Sequence, residues 1–237
     1  AGQPRDLNIP GRGYENIVFA TEYLTAQNKR NASEPVDERE TVTAKDKVVA
    51  VIGGGDTGSD CVGTARRQNA KKIYQFEILP KPPESRPVDT PWPMWPRMMR
   101  TSSSHEEGCE RRWAISTKEF LGGAGVKVEK LHGCEVEWIK DDGNWKIREL
   151  PDTDFVLEVD LVILATGFVH VVHEGLVKDT QLKLDQRGNV AVNDCQTSDP
   201  QIFAAGDTVS GPSLVVHAIN NGRQAAAAIN RWLREKA

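Results

Sequence analysis

The chain has 237 residues, with 30 Lys and Arg against 34 Asp and Glu for a formal charge of -4, and 38% hydrophobic and 27% charged residues. That is the composition of one or two globular domains. No apolar stretch approaches the roughly 20 residues of a membrane-spanning helix, and the basic residues are dispersed rather than gathered against phosphates, so neither a membrane nor nucleic acid is an expected partner.

The opening residues, AGQPRDLNIPGRG, lack the charged start and apolar core of a signal peptide and read as the interior of something longer. Residues 14–30 place Ile17, Phe19, Tyr23 and Leu24 near one side of an expected helix. A polar connector, residues 31–47, leads into VVAVIGGG, the continuous β-branched run of a strand buried on both faces of a parallel sheet. Helical DTGSDCVGTARRQNA and a strand in KKIYQFEIL complete a βαβ unit.

Residues 80–96 hold seven of the thirteen prolines, a density that no helix or central strand survives. The polar run that follows, from Arg100, is expected to contain a helix. Two alternating strands then flank Asp141-Asp142-Gly143-Asn144, a hairpin signal. FVLEVDLVILATGF supplies another buried strand and QIFAAGD a short one ending in Gly-Asp. The last segment, from Ser213, is a long amphipathic helix with Leu214, Val215, Ala218, Ile219, Ala225, Ala226 and Ile229 at helical spacing.

The four cysteines, Cys61, Cys109, Cys134 and Cys195, are far apart and form no CxxC, so these residues offer no dithiol redox centre, zinc ribbon or iron–sulfur cluster. They read as free thiols in a reducing cytoplasm.

Gly53-Gly54-Gly55-Asp56-Thr57-Gly58 is G-x-G-x-x-G between a strand and a helix, the setting in which that motif binds a dinucleotide. Gly53 serves the tight turn, Gly55 the close approach of a pyrophosphate and Gly58 the packing of helix on strand. The uncapped amides at the helix start, including those of Asp56 and Thr57, then face the phosphates. Glu77, 19 residues beyond Gly58, falls where a carboxylate accepts hydrogen bonds from the adenosine ribose and repels a 2′-phosphate. NADH is therefore favoured over NADPH. Arg66-Arg67, on the preceding helix, is the competing phosphate partner.

LVILATGF and TSDPQIFAAGD resemble the flavoproteins with two dinucleotide-binding domains, in which an ATG-like turn closes the nicotinamide domain and the Gly-Asp strand approaches FAD. The resemblance implies Thr166 and Gly167 at the first, Gly206 and Asp207 at the second, with Asp207 on the FAD ribitol. Gly211-Pro212-Ser213-Leu214 would then place the Ser213 and Leu214 amides near the flavin. With PRDLNIPGRG, FATEYLTAQNK, LPKPPESRPVDTPWPMWPRMMRTSSSHEEG, TKEFLG and GDTVSGPSLVVHAINNGRQAA added, nearly the whole chain resembles the small, pyridine-nucleotide-linked subunit of glutamate synthase, on its NADH-linked branch.

That resemblance implies an α/β fold: a Rossmann-like NAD(P)-binding domain with a parallel sheet and an antiparallel β-meander, residues 44–166, inserted in an incomplete FAD-binding domain, residues 1–43 and 167–237. It implies a cytoplasmic oxidoreductase that passes hydride from NADH to FAD and electrons to a large subunit, or another redox partner, for glutamate biosynthesis. The cofactor carries that chemistry, so no side chain is named as catalytic and no metal ligand is expected. His105, Glu106 and Glu107 are expected at a solvated loop or helix start, and His217 packed on the last helix.

A complete subunit of this family begins with a cysteine-rich iron–sulfur region and a first G-x-G-x-x-G turn for FAD, and neither occurs in this sequence. The chain is therefore expected to be a C-terminal fragment, with Ala1-Gly2 standing at the first ATG-type turn. A nucleotide-binding module without turnover of its own is the alternative, and a disulfide reductase lacks its dithiol.

Overall fold

The computed structural model describes residues 2–37, 42–94, 96–123 and 125–236. They form two compact units, Asp6–Thr166 and Ala1–Arg5 with Gly167–Ala237. The chain opens with a two-residue strand of the smaller unit, β1 (Gln3–Pro4). The larger unit begins with β2 (Ile17–Phe19), which runs directly into α1 (Ala20–Asn31). β3 (Val48–Ile52), α2 (Asp56–Arg67) and β4 (Lys72–Glu77) form the expected βαβ unit. A helical turn, α3 (Ser103–Glu106), and an edge strand, β5 (Glu110–Trp113), come next. Then β6 (Ile115–Leu121), β7 (Lys130–Asp141), β8 (Asn144–Glu149) and β9 (Phe155–Glu158) build an antiparallel meander before β10 (Leu161–Leu164) returns to the first sheet.

That first sheet is wholly parallel, in the order β2-β10-β3-β4-β5. Its two faces are both buried, which is why its central strands are apolar without alternation. Val49, Val51, Ile73, Leu161 and Ile163 pack with Ala20 and Tyr23 of α1 and Cys61, Val62 and Ala65 of α2. Ala50, Tyr74, Phe76, Val162 and Leu164 pack with Ile115, Phe120, Leu131 and Val159 on the meander side. Each fully buried Val, Leu, Ile or Phe contributes roughly 1.5–3 kcal/mol.

The expected helix over 14–30 starts only at Ala20. Ile17, Val18 and Phe19 pair instead with Val162, Ile163 and Leu164, because β10 offers an open edge to a tripeptide of β-branched and aromatic residues. That pairing also puts β2 and α1 in the same compact unit as β3, so the first division falls at Arg5/Asp6 where the sequence suggested 43/44. The polar run after Arg100 holds α3 as expected but also β5 and β6. β5 is an edge strand whose Glu110 and Arg112 pair with each other at 2.8 Å, so its charge conceals it. Between β5 and β6, Ala114 has a φ of 55°, a left-handed conformation costly for alanine. FVLEVDLVILATGF is two strands, β9 and β10, in different sheets. The Asp142-Gly143 turn has positive φ at both residues, 46° and 82°, as a two-residue hairpin demands.

In the smaller unit β11 (Phe168–His170) pairs antiparallel with β1. α4 (Leu176–Asp179) and α5 (Asp207–Ser210) are single turns, and α6 (Val215–Lys236) is the long helix. A small core of Val177, Leu182 and Val190, with Ile202 and Ala204 against it, holds the unit. QIFAAGD is not a strand here: Phe203 makes one isolated bridge, to Gln196, because residues 197–202 turn back on themselves with the Thr197 amide on the Ile202 carbonyl at 2.9 Å. α6 buries only Ala225 and Ala228. Val215, Val216 and Ile219 are exposed, as is His217, which is not the packed histidine expected.

On the meander, His132 bridges Glu119 Oε1 (2.9 Å) and Asp154 Oδ1 (2.7 Å), and Lys118 Nζ donates to the same Asp154 oxygen at 2.9 Å. The Glu119 hydrogen bond, and then that to Asp154, raise the His132 pKa above its ordinary value. Its stabilising contribution is therefore complete below the ordinary histidine pKa near 6.5 and is lost as pH rises through the raised value. Urea melts at pH 6 and pH 9 are expected to show a small loss at the higher pH, since these groups are partly solvated. The same comparison in His132→Gln is expected to show a smaller loss.

Candidate functional site

The turn after β3 is a backbone device. The Gly53 amide donates to the Phe76 carbonyl at 2.8 Å, fastening the turn to β4. Gly53 has a φ of 127°, and a Cβ on it would lie 2.2 Å from the Ala165 carbonyl oxygen. A Cβ on Gly58 would lie 2.1 Å from the Gly53 carbonyl oxygen, so the first turn of α2 presses on the strand end through a bare Cα. Gly55 differs. It is the N-cap of α2 with a φ of -79°, and a Cβ there would meet nothing within 4 Å. No side chain caps this helix, so the amides at Asp56 and Thr57 point, with the positive end of the helix dipole, at open space.

Glu77 closes one side of that space. Its Oε2 accepts from the Gly54 amide at 2.8 Å and its Oε1 from the Leu79 amide at 2.9 Å. A Cβ on Gly54 would lie 2.5 Å from Glu77 Oε2, so the glycine at the second position is needed for the carboxylate. Two backbone amides use two of about four acceptor positions on a carboxylate and leave the others for a ligand. Arg67 is engaged elsewhere, at 2.5 Å from Glu107 Oε1. Thr166 and Gly167 follow β10. Gly167 has a φ of 80° and accepts the Arg5 amide at 2.8 Å.

Gly206, Asp207, Ser213 and Leu214 belong to the smaller unit. Gly206, with a φ of 67°, caps α5, and Asp207 is the first residue of that turn. The Leu214 carbonyl accepts the His217 and Ala218 amides at 2.9 and 3.2 Å and so starts α6. A Cβ on Gly206 would lie 3.8 Å from Ala218 Cβ, which brings the Gly-Asp turn against the first turn of α6. Beside them Asn189 is 1% exposed, and its Oδ1 finds no partner among the described residues.

Sequence reasoning missed what lies under the glycine turn. Gln75, 2% exposed, projects from β4 toward the helices and donates through Nε2 to the Gly53 carbonyl at 3.0 Å. Its Oε1 is 2.9 Å from His105 Nε2. His105 Nδ1 accepts the Ser102 backbone amide at 3.2 Å and lies 3.0 Å from Ser102 Oγ, which hydrogen-bonds to Ser59 Oγ on α2. Burial, then the Arg111 guanidinium, hold the imidazole pKa below its ordinary value. His105 does stand in a helical turn, but as a partner in this network rather than as a solvated residue. The signal in the sequence was a glutamine in the middle of an otherwise apolar buried strand.

The cysteines are all free. Burial pushes the Cys61 thiol up to about 12 and raises Cys109 and Cys134 as well, so these three are not reactive thiolates at neutral pH. Among the described residues no cluster of three His, Cys, Asp or Glu is placed to hold a metal, and no helix is long and apolar enough to cross a membrane.

Residues 1–222 match the pyridine nucleotide-disulphide oxidoreductase family. The chain belongs to that family. Among curated relatives, it is 46% identical over 233 residues to the "Glutamate synthase [NADPH] small chain" of Mycobacterium tuberculosis, across 97% of this chain and 47% of the relative. It is 38% identical over 245 residues to the "Glutamate synthase [NADH]" of Saccharomyces cerevisiae, across 98% of this chain and 11% of that protein. The chain thus spans about half the length of the bacterial small chain it matches. Of solved structures in the same fold, the oxidoreductase FprA of Mycobacterium tuberculosis superposes with a TM-score of 0.68 at 15% identity, covering 100% of this chain and 63% of FprA. T. acidophilum thioredoxin reductase gives 0.57 at 20%, covering 95% and 61%. These structural likenesses agree with the parallel sheet and antiparallel meander described above.

Gly55 and Gly58 differ in what they do for the fold. Gly58→Ala is expected to cost about 1–3 kcal/mol through the clash with the Gly53 carbonyl. Gly55→Ala is expected to cost at most about 1 kcal/mol, since only its cap preference changes. Thermal or urea melts of the two variants measure the difference.

Proposed function

We propose that this chain is the nucleotide-binding part of the electron-input flavoprotein of a glutamate synthase, and that it takes NADH in preference to NADPH. The observation that carries the nucleotide reading is the Glu77 carboxylate fastened to the Gly54 amide at the mouth of an uncapped helix. The fit is good: Gly55 leaves open space in front of α2, the α2 amides supply hydrogen-bond donors for a pyrophosphate, and Glu77 offers acceptors to ribose hydroxyls. The printed names of the relatives support the assignment to glutamate synthase, and they include both NADPH and NADH types.

The preference for NADH rests on charge. A 2′-phosphate beside Glu77 meets a carboxylate, with Arg67 held by Glu107 and not offered in its place. In the smaller unit Asp207, at the Gly-Asp turn, and the amides of Ser213 and Leu214 at the start of α6 are the residues that would hold FAD. The orphaned Asn189 oxygen nearby is a further acceptor for a ligand donor. Bound to these residues, the nicotinamide and the flavin would supply the hydride-transfer chemistry. The protein's part is to bind, orient and exclude water, and electrons leave for a large subunit or another redox partner.

A second reading, a nucleotide-binding module without turnover of its own, is favoured by the glycine turn and Glu77 lying together within one compact unit, Asp6–Thr166. Purified chain with and without added FAD, assayed for NADH oxidation by an artificial acceptor, separates the two. Bound flavin and a measurable rate support the enzyme, and binding without a rate supports the module. Gly55→Ala is expected to weaken NADH binding at least tenfold in a titration, by placing a methyl group where the pyrophosphate must approach. Glu77→Gln is expected to narrow the ratio of NADPH to NADH dissociation constants severalfold. An unchanged ratio removes Glu77 as its source.

A further inference from the structure

The network under the glycine turn has a direction that its donors and acceptors fix. Gln75 Nε2 donates to the Gly53 carbonyl, so the opposite end of that carboxamide, Oε1, is an acceptor. His105 Nε2, 2.9 Å away, must therefore carry a proton. At the other side of the ring the Ser102 backbone amide points at Nδ1, which must be bare. Both contacts select one neutral tautomer, Nε2–H, and each is required by the next polar group along. The imidazole is itself clamped. α3 sits so close to α2 that a Cβ on Gly63 would lie 2.8 Å from Ser104 Oγ, and Ser102 hydrogen-bonds to Ser59 on α2.

The Gly53 carbonyl is the point through which this network reaches the site. A Cβ on Gly58 would lie 2.1 Å from it, and the same peptide group carries the Gly54 amide that holds Glu77. A rotation of the 53–54 peptide would move the carbonyl away from Gln75 and the Gly54 amide away from Glu77 together. Gln75 resists that rotation only while its own carboxamide is prevented from turning over, and His105 is the group that prevents it.

We propose that His105 is a positioning residue for nucleotide binding: as the Nε2–H tautomer it locks the Gln75 carboxamide, which locks the Gly53–Gly54 peptide and hence the amides and carboxylate that receive the dinucleotide. This inference rests on the reading of the glycine turn as the dinucleotide site. It adds a residue 47 positions from Gly58 that touches no ligand.

The test is NADH titration of the full chain, with a thermal melt of each variant. His105→Gln carries an amide that reaches the position of Nε2 and can donate to Gln75, whereas His105→Asn keeps an amide only at the position of Nδ1, beside Ser102. The expected results are an NADH dissociation constant raised about tenfold in His105→Asn, the worth of one buried hydrogen bond, and one within about twofold of wild type in His105→Gln. In a Gln75→Leu background His105→Asn is expected to add no more than about twofold, because the path is already cut. Equal affinities of wild type and His105→Asn overturn the inference, as does a His105→Gln variant as weak as His105→Asn. A full tenfold loss repeated in the Gln75→Leu background also overturns it. Wild-type chain that binds neither NADH nor NADPH overturns the dinucleotide reading itself, and this inference with it.

Discussion

The turn at Gly53 and Gly54 is constrained at five points, and the larger unit is arranged around it. Gly53 NH is spent on the Phe76 carbonyl, its carbonyl on Gln75 and the Gly54 amide on Glu77, while the Ala165 and Gly58 backbones press close enough to forbid side chains. β3, β4, β10 and α2 thus meet at one turn. Such a junction is possible only with glycine, because the required approach distances are shorter than any Cβ permits. The entropy that glycine costs the folded chain is the counterpart of that close approach.

From this junction the division of labour between the faces of the parallel sheet follows. One face takes α1 and α2 and with them the polar network that reaches the turn. The other takes the meander and is apolar at its centre, where Ala50, Phe76 and Val162 share one buried cluster with Phe120 and Leu131. Gln75 is the residue that breaks the symmetry. Side chains alternate along a strand, so with Tyr74 and Phe76 committed to the meander, position 75 must face the helices beside the glycine turn. A buried glutamine there is tolerable only because both ends of its amide are used.

The smaller unit is built to a different standard. Its core is small, its sheet has two strands, and its long helix buries two alanines while leaving Val215, Val216 and Ile219 exposed. The Gly-Asp turn and the start of α6 nevertheless lie side by side there, at a spacing where a Cβ on Gly206 would make only ordinary contact with Ala218.

The strand Val48–Ile52, the glycine turn, α2 and the hairpin at Asp142-Gly143 were legible in the sequence, because each is encoded within about a dozen residues by periodicity and by glycine at special backbone positions. Glu77 was legible for a similar reason, since strand length and spacing alone carry it to the turn. β2 was hidden in a helical pattern, since its strand state depends on the free edge of β10, more than 140 residues later. β5 was hidden by charges that an edge strand tolerates. His105 could not be assigned from its neighbours Glu106 and Glu107, because its role is set by Gln75, thirty residues earlier in the chain, and by the packing of α3 on α2 at Gly63. By itself, then, the sequence determined the α/β class and the glycine turn, whose signals are local. Which strand edges close the sheet, and which buried polar groups hold that turn in place, were decided only by tertiary structure, because hydrogen-bond partners distant in sequence become defined only once the layers have packed.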